Sequence, residues 1–510
     1  MRKSARRANS VIGTLPSELV EQFEATDLIG HYRLSGSRMA VPRGWLDHRI
    51  GEWQLVHEQT LPSLRITVGD RPIGWLLGYP VDSEGTLVRR DIQLPAHGIS
   101  DGYDVLEDIL YSFAGRYVAF FLGSAAPRAY LDPMGSLGIL FCPSQGIAAS
   151  SPFLIPYTSE TGDRFGLIEA LSFPGSHLSL PFGLTPRHGI DWLMPNHHLD
   201  LSEWHTERHW PRGEFEPSHD PGPLVAEIIR ALEKNIGAVV DNGAIQMSLT
   251  AGRDSRMLLA CARRYVSDIS FVTLDLPDGV GKIDRNVAPR MARKLKLDHR
   301  IIPARKASAH AMKRYAYRTG CMVWDPRAQR AVRTMSQLDP GRPYVMGLCG
   351  EVGRAYRWQA DDRETTAFGL EEYLVRRGIP SLPEIVDKGR QWFDRLPVEN
   401  TLTILDLLQV EQETGGYDSW FAFGFPDAGL FHFHPFNDRR IIDAFLRLPG
   451  EYKREQRLTD DVVAGAWPEL AEFPYNQAIY GVHGMYRRLR RRAKDLVTAL
   501  RGSSGAPSQE

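Results

Sequence analysis

Short apolar runs broken by glycine and proline dominate residues 1 to about 210, among them Leu64-Arg65-Ile66-Thr67-Val68 and Tyr117-Val118-Ala119-Phe120-Phe121-Leu122. Runs of this length, closed off by turn formers, predict the strands of an antiparallel or mixed β-rich domain. After Trp210 the stretch PRGEFEPSHDPGP concentrates proline, glycine and charge, which is linker composition, and the domain boundary is placed there. Beyond it the pattern changes. Leu224, Ile228, Ile229, Leu232 and Ile236 recur at spacings of three and four, one face of an amphipathic helix. A strand-like run from Ala244 to Leu249 follows, then a helix from about Ser255, a strand over Ile269–Leu274, a helix through Val287–Ala292, and Ile301-Ile302. This βαβαβ alternation predicts a parallel sheet covered on its faces by helices. Tyr344 to Leu348 predicts a further strand, and the residues beyond about 400 read as helical. The expected fold class is α/β plus α+β, with residues 1–210 as a β-rich domain, 211–500 as a parallel-sheet domain with a helical C-terminal part, and 501–510 as a disordered tail.

The length of 510 residues suits two domains, each large enough for its own core. Hydrophobic residues at 43% and charged residues at 24% exclude a disordered or fibrous chain. A formal net charge of −1 removes any whole-chain argument for a nucleic-acid, membrane or acidic partner. Cys142, Cys261, Cys321 and Cys349 contain no CxxC pair, which argues against a zinc ribbon or a disulfide framework and favours a reducing compartment. The basic start MRKSARRANS has no apolar core segment after it, and no apolar run is long enough to span a bilayer. A cytoplasmic protein without membrane or nucleic-acid partners is expected. The basic stretch Arg487–Lys494 reads as a solvated helix face, with RNA or an anionic surface as the alternative. His197-His198 and His432 with His434 lack a carboxylate or cysteine at ligand spacing and are set aside as a metal site. Neither a Gly-x-x-x-x-Gly-Lys loop nor a Gly-x-Ser-x-Gly elbow occurs.

The candidate chemistry begins at Ser248-Leu249-Thr250-Ala251-Gly252-Arg253-Asp254-Ser255-Arg256, between a predicted strand and a predicted helix. Small residues at 250 to 252 let backbone N–H groups approach an anion, and the helix N-terminus favours negative charge there. Asp254 would repel a phosphate but suits a magnesium ion that bridges phosphate oxygens, while Thr250 and Ser255 add hydroxyl donors. The bland alternative is a helix start capped by Asp254 or Ser255 after an ordinary strand.

This loop resembles the Ser-Gly-Gly-x-Asp-Ser pyrophosphate loop of ATP pyrophosphatases such as the asparagine synthetases, with Thr250 for its Ser, Ala251 for its first Gly, and Gly252, Asp254 and Ser255 matching. A second resemblance is Gly347-Leu348-Cys349-Gly350-Glu351-Val352-Gly353-Arg354-Ala355-Tyr356, where Glu351 and Tyr356 match but Gly350 replaces an Asp that looks like a second magnesium ligand in the family. A third is Pro435-Phe436-Asn437-Asp438-Arg439-Arg440, expected to serve helix packing more than chemistry. The family's lysine shortly after that segment has no clear counterpart in Arg454–Asp461, where only Arg454 or Arg457 could replace its charge. In the front half, Phe113–Phe120 and Leu131-Asp132-Pro133-Met134-Gly135-Ser136-Leu137-Gly138 resemble strands and turns of class II glutamine amidotransferase domains. Those domains use an N-terminal cysteine as nucleophile; this chain begins Met1-Arg2-Lys3, so a glutaminase-dead front half is expected. The same loss occurs in β-lactam synthetases and lasso-peptide cyclases.

The resemblance implies a class II amidotransferase-type β sandwich fused to an adenine nucleotide α-hydrolase-like half. It implies ATP and Mg²⁺, with nucleotide contacts at Leu249, Thr250, Gly252, Asp254, Ser255, Thr273 and Gly347, and Asp254 as the metal ligand. Glu351, Tyr356 and Arg354 are the expected catalytic residues, Glu351 as the base that takes a proton from an attacking amine. A structural ion pair of Glu351 with Arg354 or another arginine is the alternative. The expected activity is amide formation through an acyl-adenylate, from a small-molecule or peptide carboxylate and an amine donor, with a homodimer possible. The rival expectation is a degenerate nucleotide-binding or scaffold protein.

Overall fold

The structure, a computed structural model, describes residues 15–95, 103–124, 126–171, 179–277, 279–323, 328–425 and 431–476. Arg487–Lys494 and the tail 501–510 lie outside the described residues.

Up to Arg208 the chain builds two largely antiparallel sheets, one of six strands and one of seven. The strand Ala114–Phe121 is buried along its whole length because its sheet is covered on both faces. Val118 and Phe120 join the main core, where Phe120 meets Tyr32 of the other sheet edge to face at 5.6 Å. Tyr117, Ala119 and Phe121 alternate into a second cluster with Leu64, Ile66 and Leu76, closed by Leu106 and Leu110 of the helix Asp104–Tyr111. An unbroken apolar run is what such a doubly covered strand requires.

The second half is mixed α/β, with a five-stranded parallel sheet in the order His299–Pro303, Ile269–Asp275, Ile245–Ser248, Tyr344–Val345, His432–Phe433. The helices Gly222–Val240, Arg253–Cys261 and Gly279–Leu295 accompany it, and mostly helical segments follow from Thr401. The strand predicted over Tyr344–Leu348 shortens to Tyr344–Val345, and the chain turns at Cys349, with a φ of 76°, just past the predicted end. The strand His432–Phe433 was not predicted; two residues carry no readable period.

Chain order along this sheet decides where a site can form. The first strand, Ile245–Ser248, is extended on one side by the second and third, and on the other by the fourth and fifth. The order reverses between Ile245–Ser248 and Tyr344–Val345, so the loops leaving these two strands diverge and open a crevice at their carboxyl ends, the favoured place for ligands in open parallel sheets.

The two halves meet in a seam of buried polar contacts. Asn437 donates to the Gly115 carbonyl at 2.7 Å and to Asp132 at 2.9 Å, and its own side-chain oxygen accepts from the Met134 N–H at 3.0 Å. Arg208 grips Glu411 with both terminal nitrogens, at 2.6 and 2.8 Å. Glu411 sits in a π-helical turn, Gln409–Thr414, between the helices Thr401–Leu408 and Gly415–Phe421. Among the described residues no helix is long and apolar enough to cross a membrane.

Candidate functional site

Leu249 leaves the first strand with its N–H bonded to the Val272 carbonyl at 2.8 Å, and its own carbonyl accepts from the Thr273 hydroxyl at 2.6 Å. Thr273 also lies 2.9 Å from His299 Nε2. The turn that follows is organised by its own hydroxyls. Thr250 Oγ1 accepts from the Gly252 N–H at 3.0 Å and lies 2.6 Å from Ser255 Oγ. The Ala251 N–H donates to Asp284 at 2.8 Å, a carboxylate on the helix Gly279–Leu295. Gly252 caps the helix Arg253–Cys261 in extended conformation, which puts Asp254 in the first helical turn, where the aligned peptide dipoles favour its charge.

Across the crevice the chain leaves Tyr344–Val345 and closes a tight 3₁₀ turn, Gly350–Arg354, bracketed by left-handed residues Cys349 and Ala355. Strained non-glycine backbone of this kind is held in place only when its surroundings fix it, and it gathers at functional sites. The turn rests on Asp254. A Cβ on Gly347 would lie 3.0 Å from the Asp254 Cβ, and one on Gly350 would lie 2.6 Å from Asp254 Oδ1. Arg354 then reaches back and donates to both Asp254 oxygens, Nε to Oδ1 at 3.0 Å and Nη2 to Oδ2 at 2.7 Å. The pair is largely enclosed, with side chains 8% and 20% exposed.

The alternative in which Arg354 pairs with Glu351 is therefore not what forms: the fork goes to Asp254. Glu351 accepts from the Gln409 amide at 3.2 Å. Burial, and after it the Asp254 carboxylate, push the Glu351 carboxyl up to about 7. A carboxyl poised near neutrality beside a second carboxylate can exchange a proton at physiological pH. Gln409 belongs to the π turn, a backbone irregularity often found at functional sites. Next to it, Tyr356, Arg357, Phe368, Tyr373, Gln409 and Glu413 line a depression of about 170 Å³. Tyr356 stands at its rim, 58% exposed.

Gly347, Gly350 and Arg354 pack against Asp254 of the Thr250–Ser255 turn, Leu249 and Thr273 are buried behind that turn, and Glu351 and Tyr356 belong to the facing segment. Arg454 binds the carbonyls of Gln359 and Asp362, and Arg457 is exposed beside Glu455, so neither bonds to the 250–255 turn. The neighbouring Lys453 is buried in an ion pair with Asp406. Asp284 and Gln409 escaped the sequence reading: each is one polar residue in a helical stretch, with no local signal that its partner lies across the fold. Pro435-Phe436-Asn437-Asp438 does more than pack a helix. Asp438 caps the helix Arg439–Arg447, and Asn437 docks it on the front half.

These donors do not fit a divalent ion held by the protein alone. Both Asp254 oxygens are taken by Arg354, Gly350 brings no carboxylate, and among the described residues no three His, Cys, Asp or Glu side chains converge on one point. His197, His198, His432 and His434 are each buried. The chain matches no model of a known protein family, and no curated protein matches it.

Proposed function

We propose that this chain is an ATP-dependent, AMP-forming carbon–nitrogen ligase of the asparagine synthetase-like kind, with a front half of the class II amidotransferase type that is not a glutaminase and a second half of the ATP-pyrophosphatase type. The observation that carries the reading is the pairing of a small-residue turn at a helix N-terminus with Glu351, raised to about 7, at the reversal point of a parallel sheet. ATP enters as its magnesium complex, the ion travelling with the phosphates as part of the substrate. Thr250, Gly252 and Ser255 face the phosphates, and Leu249, Thr273 and Gly347 border the nucleotide. A substrate carboxylate attacks the α-phosphorus, pyrophosphate leaves, and an amine attacks the acyl carbon to release AMP and an amide. Glu351 takes the amine proton, Tyr356 borders the acyl group in the depression beside Gln409, and Arg354 holds Asp254 in place. Positioning and charge placement supply the rate enhancement.

A second reading, a degenerate nucleotide-binding or scaffold protein, is favoured by a specific feature: the turn's own groups satisfy one another, and Arg354 saturates Asp254. Calorimetry with MgATP on the full chain and on Asp254→Ala separates the two. Binding by the original chain, weakened about tenfold or more in the variant, with pyrophosphate released against a carboxylate panel, supports the ligase. Binding without release in any mixture leaves the scaffold reading, and no binding at all sinks both nucleotide readings.

A further inference from the structure

Arg116 lies in the strand Ala114–Phe121 and is 8% exposed. Its Nε donates to the Ser136 carbonyl at 3.0 Å, and the guanidinium lies 5.1 Å from the centre of the Phe423 ring. Among the described residues no carboxylate stands within ion-pair distance of it. Asp418, the charge that acts on it most strongly, is instead 3.1 Å from His434 Nε2. A guanidinium so enclosed, with one main-chain hydrogen bond for five N–H groups, is expensive unless something else accepts from it. Its remaining donors open onto a cavity of about 370 Å³ at the seam between the two halves, with walls that include Leu61, Tyr79, Leu137, Phe423 and Phe431. Tyr79 and Phe431 stack at 3.8 Å with planes 11° apart, one from each half. Gly78, at a φ of 115°, lets the neighbouring strand run close there: a Cβ would come 2.3 Å from the Arg116 carbonyl oxygen.

We propose that this cavity binds a small organic carboxylate with an apolar body of aromatic size, its two oxygens held by the Arg116 fork and its body between Phe423 and the Tyr79–Phe431 pair. One planar fork matches the two oxygens of a carboxylate, and apolar walls suit a monoanion better than a phosphate dianion, which needs more donors. The site is separate from the crevice around Asp254 and does not rest on the ligase reading.

The test is calorimetric titration of the full chain with phenylacetate and with the isosteric neutral phenylacetamide. The expected result is binding of the acid about tenfold or more tighter than the amide, with the acid weakened by a similar factor in Arg116→Met and less in Arg116→Lys. Thr60 lies at the exposed margin of the cavity, so Thr60→Trp blocks the mouth and also weakens the acid. That variant decides the matter if Arg116→Met fails to fold. Equal binding of acid and amide, no binding of the acid at millimolar concentration, or full binding by folded Thr60→Trp overturns the proposal.

Discussion

Glu411 in the seam and Glu351 in the crevice are both carboxylates surrounded by protein, and both touch or belong to the same π turn, yet their surroundings treat charge in opposite ways. Glu411 receives Arg208 on both oxygens, Asn196 at 2.7 Å and the Trp392 indole at 2.6 Å. Burial opposes its charge most strongly, but Arg208, His197 and Asn196 together outweigh it and hold Glu411 below the usual carboxylate range. Glu351 has one side-chain donor, the Gln409 amide; Arg354 and Arg357 favour its charge, but burial and the Asp254 carboxylate outweigh them, and it is pushed up to about 7. A fully satisfied buried carboxylate is a structural fixture. One left short of donors beside a like charge is poised to change protonation, and proton transfer requires that.

The largest effect expected from breaking this contrast lies in the seam. Arg208→Met leaves Glu411 buried without its countercharge and should cost about 3–5 kcal/mol in urea unfolding, with much of the loss recovered by adding Glu411→Met. A loss below about 1 kcal/mol would mean that Asn196 and Trp392 alone hold the carboxylate, and the contrast would lose its structural pole.

Gly350→Asp is the next test, because it restores the carboxylate of the resembled family. The new Cβ would meet Asp254 Oδ1 at 2.6 Å and Phe436 at 3.1 Å, so overpacking and like-charge repulsion should cost about 1–3 kcal/mol without tightening MgATP binding. Tighter MgATP binding by a stable variant, read by calorimetry, would show that the crevice can open to a second carboxylate.

The smallest effect, and the sharpest, belongs to Glu351→Gln. The folded carboxyl titrates near 7 and the unfolded one near 4.5, so the native state holds the proton longer. Native stability from this group is therefore complete below pH 4.5 and declines as pH rises towards 7. Glutamine removes the decline: the variant should match the original chain near pH 4 and exceed it by about 1–2 kcal/mol at pH 8, a figure lowered for partial solvent screening. On the ligase reading the variant also loses amide formation, and the original chain's rate rises with pH through about 7. A stability difference that does not change with pH would remove Glu351 as the poised group.

How much of this was legible before folding differs from residue to residue. The run Tyr117–Leu122 announced its strand because both faces are covered, and the 250–255 turn announced itself through small residues between a strand and a helix, a local signal. The packing of Gly347 and Gly350 against Asp254 joins two segments that the sequence linked only through the resemblance. Arg354 was read as a partner for Glu351 or a catalytic group, but its partner is Asp254, a choice made across one hundred residues of chain. Asp284 and Gln409 gave no sign, since a single polar residue in a helix looks the same whether it faces water or a distant loop.

What the sequence by itself determined is therefore local and periodic: where strands and helices form, that the second half alternates into a parallel sheet, and which turn offers small residues and hydroxyls at a helix N-terminus. Hydrophobic period and turn chemistry act over a few residues, and they are written in order along the chain. The tertiary structure alone decided which carboxylate keeps its charge and which is left near neutral, and that Arg116 opens onto a cavity between the halves. Burial, dielectric and countercharge at any point are set by whatever the fold brings there from elsewhere in the chain.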